Sequence, residues 1–278
     1  MIPAILTDVT KCIGCEKCVE ACVNANDLGE YRPGMPPSKQ EIGDGLSAVR
    51  WTSVLAKPGK HFVRNQCRHC LEPACVSACL VGAMKKSPEG PIIYDQSICM
   101  GCRYCMVACP FGIPRYDWST PVPYVNKCTM CFSRLKEGKQ PACVEACPEK
   151  ATIFGERDEL LAEAARRLKA EPGKYMPHIY GEHEAGGTSV MYISDIELDF
   201  FNLSRDVAKE MPKGLSKSLP QKPFPELTRP VMESVPFVGL GMTVLSGGLS
   251  WIIGRRIQMA RIKAEEMKRS REGGEEKE

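Results

Sequence analysis

Apolar positions in this chain come as short runs between polar turns, until one long apolar run closes the C-terminal part. From Glu156 to Glu171, the residues Leu160, Leu161, Ala164, Ala165 and Leu168 recur at helical spacing, and Pro172-Gly173 stops the pattern. This predicts a helix packed by one face on a core. Strand-like runs are predicted at Leu6-Thr7-Asp8, Ala48 to Leu55, Ala83-Met84, Pro91-Ile92-Ile93-Tyr94-Asp95 and Ala151-Thr152-Ile153-Phe154, and from Ser189 to Ser194 after the turn Gly186-Gly187-Thr188. The mixture predicts an α+β fold. Ser234 to Gly254 carries no charged side chain; at 1.5 Å per residue it covers about 30 Å, the thickness of a bilayer core. A single transmembrane helix is therefore predicted over 231–254, and its Gly239, Gly241, Ser246, Gly247 and Gly248 allow close approach of a neighbouring helix.

Sixteen cysteines change this picture most, because they form four quartets with none left over: Cys12, Cys15, Cys18, Cys22; Cys67, Cys70, Cys75, Cys79; Cys99, Cys102, Cys105, Cys109; and Cys128, Cys131, Cys143, Cys147. The first and third read C-x2-C-x2-C-x3-C, the bacterial ferredoxin run, in which three thiolates hold one 4Fe-4S cluster and the fourth ligates its neighbour. The second and fourth keep the outer spacings and lengthen the middle. Cys109-Pro110 and Cys147-Pro148 complete the ferredoxin signature, whereas Cys22-Val23 and Cys79-Leu80 do not. The last step of each motif predicts a helix that carries the fourth cysteine away to the second cluster.

A disulfide framework belongs to short secreted chains, and 278 residues can bury a core without such staples. Structural zinc uses paired C-x2-C steps, but the first and third quartets supply a tight triple plus a distant fourth. All sixteen ligands being cysteine, the expectation is four 4Fe-4S clusters and no three-iron centre.

Order along the chain assigns the ligands. Quartets two and three, a short segment apart, form one unit by exchange: Cys67, Cys70, Cys75 with Cys109, and Cys99, Cys102, Cys105 with Cys79. Quartets one and four then pair around it, giving Cys12, Cys15, Cys18 with Cys147, and Cys128, Cys131, Cys143 with Cys22. A second two-cluster unit (61–118) is thereby inserted into a first (1–60 and 119–155). The region 156–230 supplies helix, strand and linker, and 255–278 is a charged, cytoplasmic tail whose part from Glu265 to Glu278 is predicted to fray. A sequential arrangement, quartet one with two and three with four, stays open. The stretch from Asp27 to Lys60, with Pro33-Gly34 and Pro36-Pro37, covers clusters or meets a partner.

Four histidines are present, His61, His69, His178 and His183. His69 lies between two ligands and can donate towards cluster sulfur, as Arg68 and Arg103 can act by charge; an exposed histidine without such a role is the plainer reading. No Ser-His-Asp set, phosphate loop or dinucleotide fingerprint accompanies them, which argues against a catalytic site. The net charge of +3 is modest, with eight Lys and Arg against six Glu after Gly254, and gives no support for nucleic-acid binding. Arg255, Arg256, Arg261, Lys263, Lys268, Arg269 and Arg271 follow the apolar run; positive flanks stay in the cytoplasm, so the cysteine region is expected on the outer, periplasmic face. The first ligand at Cys12 leaves no room for a signal peptide after Met1. Either the folded chain crosses as cargo of a partner that carries the signal, or the charge rule misleads and the cysteine region stays inside.

The pattern resembles the four-cluster iron-sulfur subunits of membrane-bound respiratory oxidoreductases, through the nested quartets, Gly101-Cys102-Arg103-Tyr104-Cys105-Met106-Val107-Ala108-Cys109-Pro110 and the final apolar run. Ile153-Phe154-Gly155-Glu156-Arg157 and His178-Ile179-Tyr180-Gly181-Glu182-His183 with Gly186-Gly187-Thr188 are similar to the uptake nickel-iron hydrogenase electron carrier. Formate dehydrogenase beta subunits share the Gly-Gly-Thr strand and the span. The resemblance implies an electron relay, not itself an enzyme, between a catalytic partner and an integral, quinone-reactive membrane subunit in the bilayer. That catalytic partner is a nickel-iron hydrogenase or, alternatively, a formate dehydrogenase or other molybdopterin enzyme. The setting implied is the cytoplasmic membrane of a prokaryote.

Overall fold

The computed structural model describes residues 2–34, 44–117, 124–201 and 220–275. Pro36-Pro37 and residues 202–219 of the expected linker lie outside the described residues. Met1–Leu227 forms one compact unit and Thr228–Glu278 another.

The first unit centres on a three-stranded sheet in which β1 (Pro3–Asp8) lies between β8 (Thr152–Glu156), antiparallel, and β9 (Val190–Ile193), parallel. Leu6 pairs with Ile153 on one side and Met191 on the other. On this sheet sits α6 (Arg157–Ala170), which buries Leu160 and Ala164 against Ala4, Leu6, Met191 and Ile193 while Leu161, Ala165 and Leu168 stay half-buried. That face is the one the helical spacing predicts. Glu156 starts the helix, its carboxylate accepting from the Asp158 and Glu159 amides, which satisfies two otherwise unpaired N–H groups at a helix N-terminus.

A smaller hairpin repeats the pairing of β1 with β8: β4 (Met84–Lys86) and β5 (Ile92–Tyr94) are antiparallel, with Met84 opposite Tyr94. The continuation is also shared. Asp95 N–H donates to Ala83 O at 2.8 Å as Asp8 N–H donates to Ala151 O at 2.7 Å. A further hairpin joins β2 (Thr52–Lys57) to β3 (His61–Gln66), and β6 (Arg115–Tyr116) pairs with β7 (Val125–Asn126).

Two expectations shift. The strand predicted from Ala48 begins only at Thr52, because Ser47 and Arg50 close a tight bridge and Trp51 Nε1 donates to Ala48 O at 2.8 Å. The last helix, α7 (Phe224–Glu275), continues through the charged tail where fraying is predicted; that tail is rich in Ala, Glu, Lys and Arg, all strong helix formers. An 18-residue window of α7 has mean hydropathy 1.6, so the helix is long and apolar enough to cross a membrane by length and composition. Phe237, Leu245 and Trp251 are exposed on it.

Candidate functional site

Each cysteine quartet begins on a loop whose backbone turns left-handed at the same place, just before the second cysteine: Gly14 (φ 71°), His69 (φ 47°), Gly101 (φ 74°) and Met130 (φ 57°). A left-handed residue bends the loop so that successive side chains converge on one side, and it costs little only for glycine. The first and third loops share more. Asp8 Oδ1 accepts from Thr10 N at 3.2 Å and Asp95 Oδ1 from Ser97 N at 3.1 Å, and each aspartate opens a short 3-10 turn that delivers Cys12 or Cys99. Glu16 and Arg103, both left-handed, then start α1 (Lys17–Ala25) and α3 (Tyr104–Ala108). The second and fourth quartets use Pro73 and Pro141 to start α2 (Ala74–Ser77) and α5 (Ala142–Glu145), which carry Cys75 and Cys143. Proline suits a helix start because the N–H it lacks is unpaired there anyway. The longer fourth quartet accommodates α4 (Phe132–Lys136) between its second and third cysteines.

All sixteen cysteines carry free thiols. Burial and neighbouring thiols raise the pKa of many of them. Burial raises the Cys12 thiol, and Cys147 and Cys15 raise it further. Burial pushes Cys18 up to about 12, with Cys12 and Cys147 among the contributors. Cys22 is raised by burial and by Cys128, Cys143 and Cys131. Cys70 and Cys75 are raised by burial, then by Cys109 and Cys67. Burial lifts Cys105 to about 11, aided by Cys102, Cys79 and Cys99. Such influence links Cys12, Cys15, Cys18 and Cys147; Cys22, Cys128, Cys131 and Cys143; Cys67, Cys70, Cys75 and Cys109; and Cys79, Cys99, Cys102 and Cys105. Influence also crosses between sets at Cys18 with Cys143, Cys128 with Cys67, and Cys75 with Cys105. The two middle sets of that succession are buried throughout, and the two end sets are only half-buried.

Such thiols need compensation when ionised. Backbone amides supply part of it: Met84 N–H donates to Cys79 Sγ at 3.3 Å, Met130 N–H to Cys128 Sγ at 3.3 Å and Ile113 N–H to Cys109 Sγ at 3.5 Å. Among the described residues no three His, Cys, Asp or Glu side chains close on the position of one ion. The thiols of Cys12, Cys15, Cys18 and Cys147 instead border a shared cavity. Four thiols around a common space fit an iron-sulfur cluster, a body larger than one ion, held by thiolates with amide donors to sulfur.

The remaining predicted residues fall as follows. His69 is buried, not exposed: its Nδ1 accepts from Ile92 N–H at 3.0 Å, and burial, then the Lys127 charge, hold its pKa well below the usual range. It is therefore neutral, with its proton on Nε2, for which the structure offers no acceptor. Arg68 donates to Gln66 O at 2.7 Å, Tyr192 Oη at 2.8 Å and Asn65 Oδ1 at 3.1 Å, and lies 3.8 Å from the Phe201 ring centre. Arg103 sits over the Tyr116 ring. His61 pairs with Asp195, His178 with Glu184 and His183 with Glu182. The Gly-Gly-Thr strand clips the second loop: Leu71 N–H donates to Gly187 O at 2.9 Å and Val190 N–H to Arg68 O at 3.0 Å.

Among the described residues, buried cations beside the thiols escape the sequence reading. Lys127 Nζ donates to Ile92 O at 2.6 Å and Cys128 O at 2.9 Å, and Arg64 lies fully buried on β3. Lys127 adjoins a ligand in sequence, which is a signal; Arg64 stands in a strand that periodicity did not reveal.

Residues 59–157 match the family described as the 4Fe-4S dicluster domain. Over 251 residues the chain is 39% identical to a protein of Nitratidesulfovibrio vulgaris strain Hildenborough, covering 87% of this chain and 65% of that one; the chain thus spans less than two thirds of that relative's length. It is 37% identical to hydrogenase-2 operon protein HybA of Escherichia coli O157:H7, over 72% of each chain. To the iron-sulfur subunit of the nitrate-inducible formate dehydrogenase of Escherichia coli K12 it is 36% identical, over 68% of this chain and 67% of that one.

Proposed function

Because the chain belongs to the 4Fe-4S iron-sulfur proteins that serve as electron-transfer subunits of oxidoreductase complexes, we propose that it holds four such clusters and relays electrons through them in a row. The ligand sets are Cys12, Cys15, Cys18, Cys147; Cys22, Cys128, Cys131, Cys143; Cys67, Cys70, Cys75, Cys109; and Cys79, Cys99, Cys102, Cys105. The carrying observation is the cavity that Cys12, Cys15, Cys18 and Cys147 border, and the electrostatic influence among the other thiols supports the remaining three sets. Electrostatic influence of Cys143 on Cys18, Cys67 on Cys128 and Cys105 on Cys75 supports the order of the row as given.

The nested reading is supported by strand pairing: β1, which enters the first loop, pairs with β8, which follows the fourth, just as β5 pairs with β4 between the third and second. When bound, thiolate-held clusters exchange single electrons at potentials set by burial, charge and hydrogen bonds to sulfur. The chain's own contribution is to exclude water from the two middle sets, supply amide donors, and leave the end sets nearer the surface for exchange with other subunits. Exposed Leu80, Ile98, Met100, Tyr104 and Val107 around the last set suit a surface that another subunit covers.

The catalytic partner is a nickel-iron hydrogenase, as the relative named for a hydrogenase-2 operon supports; the alternative, a formate dehydrogenase or other molybdopterin enzyme, is favoured by the relative of that name. A quinone-reactive membrane subunit takes the other end. The apolar part of α7 anchors the chain once in the cytoplasmic membrane, cysteine region on the periplasmic face and basic tail inside. Elemental analysis of the native complex, isolated in mild detergent without oxygen, tests the reading. About sixteen irons per chain are expected, with nickel for the hydrogenase partner; molybdenum or tungsten moves the partner to the alternative, and zinc in place of iron overturns the relay.

A further inference from the structure

Arg64 lies on β3 opposite Val54, and only 2% of its surface is exposed. Its Nε, Nη1 and Nη2 make no hydrogen bond of normal geometry, and the acceptor they approach is the Cys143 thiol. The contrast with Arg68 is direct: there both terminal nitrogens are engaged by named oxygens. A guanidinium is permanently charged and carries five N–H donors, and burying it unpaired is strongly unfavourable. The fold keeps it there all the same.

What surrounds Arg64 explains why. It lines the cavity shared by Cys12, Cys15, Cys18 and Cys147. On its other side the guanidinium approaches the thiol of Cys143. Those thiols belong to the first two ligand sets. Arg64 is held in place by its own backbone, since its carbonyl accepts from Tyr192 Oη at 3.0 Å.

We propose that the Arg64 guanidinium bridges the first two clusters, donating its otherwise unmatched N–H groups to their sulfur atoms and raising both reduction potentials relative to the other two. The inference rests on the four-cluster reading above. An added electron increases negative charge on a cluster, so a fixed cation with donors to sulfur favours the reduced form. Arg64 is a positioning and tuning residue; it takes up neither electron nor proton.

The test is an EPR-monitored redox titration, with iron counted per chain, on the intact complex carrying native chain, Arg64→Gln or Arg64→Lys. With Arg64→Gln at full iron, the expected result is a downward shift of two of the four potentials by about 59 mV or more, a tenfold change in a one-electron equilibrium, the other two moving less. No shift, or an equal shift of all four, overturns the assignment. Should Arg64→Gln lose iron, Arg64→Lys decides, because it keeps the charge without the bridging fork: full iron with a downward shift in one or both of the same two clusters supports the bridge, and full iron without a shift, or lost iron, overturns it. A native complex without four cluster signals would refute the four-cluster reading itself, a failure distinct from unshifted potentials in the variants.

Discussion

The first and third cysteine loops share spacing, an aspartate-closed entry and left-handed residues at matching places, yet they face different surroundings. Where the first has Lys11, Ile13, Lys17 and Glu20, the third has Ile98, Met100, Tyr104 and Val107, all four exposed and Val107 by 82%. The helices differ as well. α1 runs on through buried Val23, whereas α3 ends at Cys109 because Pro110 disfavours helical backbone in the residue before it. Ligand spacing dictates the shape of the loop and leaves its outer face free, so one end of the row presents charge and the other an apolar surface of the kind that partners cover.

The two entry aspartates separate the loops most sharply in stability. Asp8 is fully buried, accepting from Tyr175 Oη at 3.0 Å and Arg167 Nη1 at 3.2 Å as well as from Thr10. Asp95 lies at the surface and serves Ser97 with a distant lysine. Asp8→Ala leaves Arg167 facing a buried gap and is expected to cost about 3 kcal/mol, read as a drop in thermal midpoint. Asp95→Ala should cost clearly less. Equal losses would show that the turn, not the buried pair, is what matters in both.

At Gly14 an added Cβ would overlap the Phe62 ring on a left-handed backbone, while at left-handed Gly82, after the second quartet, it meets open space. Gly14→Ala is expected to cost about 2–3 kcal/mol, combining backbone strain with overpacking, and Gly82→Ala about 1–2 kcal/mol from the backbone alone. Denaturant midpoints measure both. Adjacent positions on the two helices give the smallest contrast. Val19→Ala removes a buried side chain and should cost about 1–2 kcal/mol, whereas Val107→Ala, one position further along its helix and exposed, should stay within about 0.5 kcal/mol in the isolated chain.

Much of this was legible in the residues. The α6 face at Leu160 and Ala164 and the strand at Val190–Ile193 follow from spacing and periodicity, because local geometry decides them. His61-Phe62-Val63-Arg64-Asn65-Gln66 was not legible as a strand. Three of its four buried residues, Arg64, Asn65 and Gln66, are polar, and their burial is decided by distant partners such as Tyr192, which donates to Arg64 O. For the same reason His69 reads as exposed in isolation, although β5 supplies the Ile92 amide that buries it.

The central claim is the exchange of ligands between quartets, and the iron content of paired variants tests it most directly. Residues serving one cluster fail together, so their losses do not add. Cys12→Ala with Cys147→Ala should lose about four irons per chain, no more than either change alone, and Cys99→Ala with Cys147→Ala about eight, since each cluster holds four. The reverse, about eight for the first pair and four for the second, would contradict nesting and establish the sequential arrangement.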